Sequence, residues 1–130
     1  MKKHGFTLVE VLIITAIIAL LTTIAIPNLL NARMTANDVM AQATLKAIAK
    51  GMEHYMIANS GYPTDAAELT TATPPYVNED YFVGTRSGFT YTNTVDPAGA
   101  GYTINAEPVA IGRTGTTTYT ITTGAAFLNN

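Results

Sequence analysis

One carboxylate stands out among the residues that could do chemistry in this chain. Glu10 is the only charged side chain between Lys3 and Arg33, and it lies near the start of an apolar run that reaches Ile26. Placing an acidic side chain at the centre of a bilayer costs about 2.5 to 3.5 kcal/mol. A carboxylate in such a run therefore needs a partner, and an ion pair with a cationic group is the chemistry that would stabilise it.

The rest of the chain offers little for catalysis or metal binding. It has no cysteine, which excludes disulfides, thiolate ligands and cysteine nucleophiles. The two serines, Ser60 and Ser87, sit beside glycines, His54 is predicted at the surface, and no P-loop or dinucleotide fingerprint occurs. We therefore expect no enzyme activity, no catalytic residue, no cofactor and no metal site.

The charge distribution excludes another class of function. The net charge is -2 and the chain has no basic patch after Lys3, so nucleic-acid binding is not indicated. The acidic pairs Asp65/Glu68 and Glu79/Asp80 could contact a cation, but ordinary solvated charge is the favoured interpretation.

An uninterrupted apolar helix is predicted to position the carboxylate. No Gly or Pro lies from Phe6 to Ile26, and these roughly 21 residues would span about 31 Å as a helix, close to one hydrocarbon thickness. Lys2 and Lys3 favour a cytoplasmic N-terminus. A cleaved secretory signal would have a shorter apolar core followed by a cleavage site of small residues. The residues at the end of this run, just before Pro27, do not match such a cleavage site. A plain single-pass anchor explains the run but not its acidic residue.

The segment Gly5-Phe6-Thr7-Leu8-Val9-Glu10 resembles the class III signal of type IV pilins and of the pseudopilins of type II secretion. The resemblance is close from Lys2 to about Tyr62. It implies that a prepilin peptidase cuts between Gly5 and Phe6 and methylates the new N-terminus at Phe6. Glu10 is the acidic residue of the motif, and a neighbouring subunit's amine at Phe6 is its expected partner, so that Glu10 fixes the register of assembly.

Pro27 is predicted to break the helix. It lacks an N–H and clashes with the carbonyl four residues earlier. Thr22 and Thr23 lie in the affected turn, where their hydroxyls could bond the freed carbonyls. In filaments of pilin-like proteins this stretch is often unwound, and a kink without function is the equally open alternative.

After Pro27 the pattern becomes that of an amphipathic helix, which we expect to end near Asn59. Its apolar stripe is predicted to pack on a sheet, while the charged residues lie mostly off the stripe. A short helix is predicted from Asp65, with Thr64 or Asp65 as its cap. The stripe is Ala41, Leu45, Ile48, Met52 and Tyr55, and the charged set is Arg33, Asp38, Lys46, Lys50 and Glu53.

Three alternating segments predict an antiparallel meander: residues 89–95, 102–106 and 117–123. One face is expected to pack on the helix, and the other, largely threonine, to be solvated. The inner face comprises Phe89, Tyr91, Tyr102, Ile104, Tyr119 and Ile121.

We therefore predict an α+β protein, a long N-terminal helix with a transmembrane first half and a second half packed on a small antiparallel sheet. The predicted parts are a leader (1–5), a membrane and filament-core helix (6–27) and a globular domain (28–130), the last divided into helix (28–59), connector (60–80) and meander (81–130).

The resemblance implies a structural subunit of a type IV pilus-like filament, held in the inner membrane and then assembled into a surface filament. The alternative is the major pseudopilin of a type II secretion system, which forms a periplasmic pseudopilus. Expected partners are further copies in a helical homopolymer, the prepilin peptidase, inner-membrane assembly machinery and membrane lipid. No acidic residue follows Glu107, so the calcium site usual in such pseudopilins is in doubt. A third functional class, a monomeric enzyme or receptor domain anchored in the membrane, is the remaining alternative.

Overall fold

The computed structural model describes residue 1 and residues 5–128. The chain divides into two compact units, Met1–Arg33 and Met34–Asn130, and the long helix α1 contributes to both. The long helix and the antiparallel sheet confirm the predicted α+β class. The elements in chain order are α1 (Leu8–Asn59), α2 (Ala67–Thr71), β1 (Phe89–Val95), β2 (Tyr102–Pro108), β3 (Tyr119–Thr122), a 3₁₀ turn (Thr123–Ala125) and β4 (Ala126–Leu128).

The second half of α1 forms the core of the second unit with the inner face of the sheet. The predicted stripe is confirmed: four of its members are fully buried, and Tyr55 is partly buried against the same cluster. The predicted end at Asn59 is also confirmed, since Ser60 takes the left-handed conformation, φ 59°, that often terminates a helix. The other core residues include Phe89, Tyr91, Tyr102, Ile104 and Ile121.

The expectation that Asp38 lies off the stripe is wrong. Its side chain is 7% exposed, because it stands three residues before Ala41 on the same helix face. The carboxylate accepts hydrogen bonds from the Thr116 backbone N–H at 3.0 Å and from the Thr116 hydroxyl at 2.7 Å. These bonds offset the desolvation of a buried charge and fasten the β2–β3 loop to α1.

Glu53, which was predicted to lie off the apolar stripe, connects α1 to three other parts of the fold. Its carboxylate accepts hydrogen bonds from the hydroxyls of Tyr62 and Tyr102, both at 3.1 Å, and from the Gly124 N–H at 2.7 Å. The two tyrosine rings meet edge to face, with centroids 4.9 Å apart. One side chain of α1 therefore ties together the connector, β2 and the turn before β4.

Gly51 has a packing role in the C-terminal part of α1, eight residues before the helix ends. A Cβ at this position would lie 2.5 Å from Val77 Cγ1 and 3.2 Å from the Tyr76 carbonyl oxygen. The connector is held there by hydrogen bonds from the N–H groups of Tyr76 and Val77 to the Leu69 carbonyl oxygen. The close approach of this connector explains why a poor helix former is used within a helix.

The predicted cap of the short helix is wrong. The cap position of α2 is Ala66, which makes no side-chain cap bond. Asp65 instead accepts a hydrogen bond from the Ala67 N–H at 3.1 Å, which closes a local turn just before the helix.

The predicted acidic pairs have partners within the protein. Glu68 accepts a hydrogen bond from the Tyr55 hydroxyl at 2.5 Å, and Glu79 forms a salt bridge with Arg86 at 2.7 Å. Asp80 accepts from the backbone N–H two residues later in the chain, at 2.9 Å. These carboxylates therefore hold the connector, residues 60–80, to α1 and to the residues that follow it.

The sheet is an antiparallel meander in the order β1-β2-β3-β4. Its three predicted strands are confirmed with small changes at their ends, whereas β4 was not predicted. Ile121 of β3 pairs with both Ile104 of β2 and Phe127 of β4, and the Lys46 ammonium lies 5.6 Å from the centre of the Phe127 ring. Thr120 is an exception on the threonine-rich face, since it is 8% exposed and donates to the side chain of Asn105.

We expect a chain that begins at Asn28 to be a soluble, folded monomer, in which Ile48→Ala lowers the free energy of unfolding by about 2 to 5 kcal/mol. Ile48 is fully buried, so the change removes packed methyl groups and leaves a cavity. Val39→Ala is the matched control, because Val39 is 60% exposed on the same helix. Urea unfolding followed by circular dichroism measures both, and a loss below about 0.5 kcal/mol for Ile48→Ala would contradict the packing described here.

We also expect the free energy of unfolding of this shorter chain to fall as the pH rises above about 10. Burial, followed by the hydrogen bond to Glu53, raises the pKa of Tyr102 in the fold, and burial likewise raises the pKa of Tyr62. The neutral phenols thus stabilise the fold below the unfolded-state pKa, and this contribution is lost at higher pH. Tyr102→Phe should weaken the alkaline decline, and equal slopes for both proteins would contradict the interpretation.

Candidate functional site

The N-terminus of α1 is closed by a reciprocal pair of side chains, Thr7 and Glu10. The Thr7 hydroxyl accepts from the Glu10 N–H at 3.3 Å, and the Thr7 N–H donates to Glu10 Oε2 at 3.4 Å. The Thr7 carbonyl accepts the first helical bond, from the Val11 N–H. This arrangement is a capping box, which satisfies two backbone donors at a helix start. Sequence reasoning missed the role of Thr7, although the spacing Thr-x-x-Glu is its usual signal.

The capping box keeps the Glu10 carboxylate at the positive end of the helix dipole. The N–H and the hydroxyl of Thr7 both approach the same oxygen, Oε2, at 3.4 Å. These are long bonds, and an ionised carboxylate offers about four acceptor positions. Glu10 is exposed, so it retains the capacity to accept a shorter, charge-assisted bond from an ammonium group.

The predicted cleavage point lies just before this cap. Gly5, Phe6 and Thr7 precede α1 in non-helical backbone, and the Phe6 side chain is 77% exposed. The bond between Gly5 and Phe6 is therefore accessible in the single chain. The basic leader residues Lys2 and Lys3 lie outside the described residues.

The first half of α1 presents an apolar surface. Within the described residues, α1 is the one helix long and apolar enough to cross a membrane, and its most apolar window, with a mean hydropathy of 2.6, is not buried by the rest of the protein. The hydroxyls of Thr15, Thr22 and Thr23 donate to carbonyls of the preceding turn, so these polar groups are satisfied within the helix. Such a surface requires lipid or another protein to cover it.

Helix α1 continues through Pro27 in the single chain. The expectation that Thr22 and Thr23 bond the carbonyls freed by Pro27 is wrong, since they donate to the carbonyls of Ile18 at 2.6 Å and Leu20 at 2.7 Å. Hydroxyls at these positions reach back one turn along the helix, which is away from the proline. A break at Pro27 in an assembled filament stays a prediction.

The second unit contains a depression at the β1–β2 turn, lined mainly by threonines and by turn backbone, with a volume of about 520 Å³. Its carboxylate, Asp96, accepts from the Ala98 N–H at 3.0 Å and so shapes the turn. Among residues 1 and 5–128, no three His, Asp or Glu side chains lie close enough to hold a metal ion.

Comparison with known proteins identifies a matching family model and several relatives of this chain. Residues 1–26 match the family model of the prokaryotic N-terminal methylation motif. The chain is 47% identical over 68 residues to the type IV wide pilus major component PilA4 of Thermus thermophilus, covering 52% of each chain. It is 35% identical over 63 residues to the type II secretion system core protein G of Vibrio cholerae, covering 48% of this chain and 43% of that protein.

Another match is weaker in identity but covers more of the chain. The type II secretion system core protein G of Pseudomonas aeruginosa is 26% identical over 102 residues, covering 78% of this chain and 72% of that protein. No solved structure matches the chain. The chain spans about half the length of the first two relatives, 52% and 43%. It carries the prokaryotic N-terminal methylation motif and is similar to a type IV wide pilus major component and to the core protein G of type II secretion systems.

Proposed function

We propose that this chain is a structural subunit of a type IV pilus-like filament. Before assembly, the apolar half of α1 holds it in the inner membrane as a single-pass protein. After assembly, the same half-helix packs against other copies in a helical homopolymer. The observation that carries the proposal is the lone carboxylate of Glu10, set by the Thr7 cap at the start of an exposed apolar helix with a methylation motif.

Cleavage between Gly5 and Phe6 would complete the assembly site. It leaves the apolar run on the mature protein and creates an amine at Phe6, four residues before Glu10. In a bundle of apolar helices, an amine from the neighbouring subunit is a stronger donor to the carboxylate than the Thr7 N–H and hydroxyl, both at 3.4 Å. The pair would form at one axial offset between helices, so Glu10 would set the register of each added subunit.

The proposed partners follow from these steps. A prepilin peptidase cleaves and methylates the chain on the cytoplasmic side, membrane lipid covers α1 before assembly, and inner-membrane assembly machinery transfers the subunit to the filament. Pro27 is the proposed point at which α1 opens in the filament. The similarity to a wide pilus major component, at 47% identity, supports an extracellular surface filament.

The major pseudopilin of a type II secretion system is the second candidate. Core protein G from Pseudomonas aeruginosa matches 78% of this chain, more than the 52% matched by the wide pilus component. The pseudopilin would form a periplasmic filament. The two candidates differ in where the filament is found, so electron microscopy and mass spectrometry of sheared surface material would separate them.

We expect the assembled protein to begin at Phe6 and to be one methyl group heavier than its sequence. Intact mass and N-terminal sequencing measure both features. Gly5→Arg should leave the precursor uncut, because a large charged side chain beside the scissile bond would not fit a site that accepts glycine, whereas Gly5→Ala should be processed. A mature chain that retains Lys2 and Lys3, or one that begins after Pro27, would exclude this processing.

We expect Glu10→Ala and Glu10→Gln to remain in the membrane but to form few or no filaments. Removing one partner of a buried ion pair costs about 3 to 5 kcal/mol, and in a filament this cost recurs with every subunit. Membrane insertion should be maintained or improved, because a costly carboxylate has been removed. Immunoblots of the membrane fraction and counts of sheared filaments give the two measurements.

Glu107→Gln is the matched control for these variants, since it removes an exposed carboxylate on β2. It should assemble as the unchanged protein does. Normal filament counts from Glu10→Ala would falsify the registry role. Loss of the variant from the membrane would assign Glu10 to insertion and favour a plain membrane anchor.

A further inference from the structure

We propose that the loop between β2 and β3, residues 109–113, rests on the lipid headgroups of the membrane while the subunit is unassembled. This inference rests on the membrane-held state of the proposed function and adds a second contact with the lipid. We call these residues the lipid-facing loop.

The loop exposes apolar side chains beside a cation. Val109 is 59% exposed and Ile111 is 72% exposed, and the Arg113 side chain is also exposed. Two large aliphatic groups with an adjacent arginine match the chemistry of a bilayer interface, where apolar side chains enter the acyl boundary and cations meet anionic headgroups. Glu107, also exposed, lies two residues before Val109 and is the nearest carboxylate in sequence that would face the same headgroups.

Four of the five N–H groups of the loop, all except that of Ile111, donate hydrogen bonds that the structure shows. The Ala110 carbonyl accepts from the N–H groups of Arg113 at 3.0 Å and Thr114 at 2.9 Å, and the Gly112 N–H donates to the Gly115 carbonyl at 2.9 Å. The Thr114 hydroxyl accepts from the Ala110 N–H at 3.0 Å. N–H groups that are bonded within the protein lose no hydrogen bonds to water when the loop enters a poorly hydrated interface.

The loop is held at the part of α1 where the second unit begins. Asn37 donates from its side chain to the Thr114 carbonyl at 2.8 Å, and Asp38 accepts from Thr116. Gly88 supports the loop from the other side, since its carbonyl accepts from the Val109 N–H at 2.9 Å. These hydrogen bonds fix the position of the loop, and with it the exposed side chains of Val109 and Ile111, on the second unit.

This attachment point is close in sequence to the end of the membrane-spanning run. Exposed Leu29 and Leu30 extend the apolar surface, and Arg33 is the first charged residue after Glu10, so we place Arg33 at headgroup level. Asn37 lies four positions after Arg33, which is at most about 14 Å of chain in any conformation. The headgroup layer on each side of a bilayer is about 5 to 7 Å thick. The hydrogen bond that ties the loop to α1 therefore lies no more than about 14 Å of chain from the proposed headgroup level.

The test uses the full chain at high dilution in lipid vesicles. Because the chain has no cysteine, one cysteine introduced by substitution takes a nitroxide label at a single known position. Ile111→Cys reports on the loop, Ala98→Cys reports on an exposed turn at the other end of β1, and Ile18→Cys reports on insertion of α1. Electron paramagnetic resonance measures collisions of each label with oxygen, which dissolves in lipid, and with a nickel chelate, which remains in water.

In vesicles containing phosphatidylglycerol, the labels at Ile111 and Ile18 should be shielded from the nickel chelate, and the label at Ala98 should be accessible to it. Shielding at Ile111 should be weaker in pure phosphatidylcholine. Adding Arg113→Gln should lower the ratio of docked to undocked loop about fivefold in the anionic vesicles, since one arginine near an anionic surface contributes about that factor.

A label at Ile111 as accessible to the nickel chelate as that at Ala98, with Ile18 shielded, would overturn the loop contact and leave the proposed function intact. If the label becomes shielded only in assembled filaments, a second copy and not lipid covers the loop, which also overturns the proposal. Equal shielding in both lipids with no effect of Arg113→Gln rejects the role of anionic headgroups. A label at Ile18 that is open to the chelate would contradict the membrane-held state itself, and the loop contact with it.

Discussion

The structure depends on a conflict within the first half of α1, where an apolar surface built to leave water carries one carboxylate that prefers water. The Thr7 cap moderates this conflict in the single chain, because it gives Glu10 local donors and places it at the positive end of the helix dipole. The cap does not remove the conflict, since both bonds from Thr7 are 3.4 Å long. A partner with a full positive charge would stabilise the carboxylate further.

Two other carboxylates on the same helix are stabilised by different means. Asp38 is bound by a neutral hydroxyl and a backbone N–H of Thr116, and Glu53 by two tyrosine hydroxyls and the Gly124 N–H. In both cases the donors come from the C-terminal half of the fold or from the connector. In a small domain without disulfides, these carboxylates fasten loops and strands to α1 in a way that apolar contacts, which lack direction, do not.

The parts of the fold that the sequence predicted are those with a local, periodic pattern. The stripe from Ala41 to Met52 and the alternation in β1 and β2 are such patterns, because burial of one face repeats with the period of the element. Strand β4 has only three residues, and it follows two residues with positive φ, Gly124 and Ala125, so it offers too short a pattern to detect.

The hydrogen bonds of Asp38 and Glu53 could not be predicted from sequence for a different reason. Their donors Thr116 and Gly124 lie 78 and 71 residues away in the chain, and no local signal specifies such a pair. At the candidate site, Glu10 and its spacing from Phe6 predicted an assembly site, which stays a prediction, and the capping role of Thr7 was readable from the spacing Thr-x-x-Glu although it was missed. The cut before Phe6 and the ion pair of Glu10 remain predictions, because each involves a second molecule.

The division of α1 between two environments would let one helix serve folding and the proposed assembly separately. The second unit has its own core, in which the buried residues of α1 contact the sheet and connector. Its folding therefore does not require Glu10 or the apolar run to find a partner. The unsatisfied surface of the first unit remains available, and its free energy can be released when lipid or neighbouring helices cover it. In the proposed filament, a subunit built in this way would be folded before it assembles, and a change near Glu10 would alter its lateral contacts without a cost to the core around Ile48.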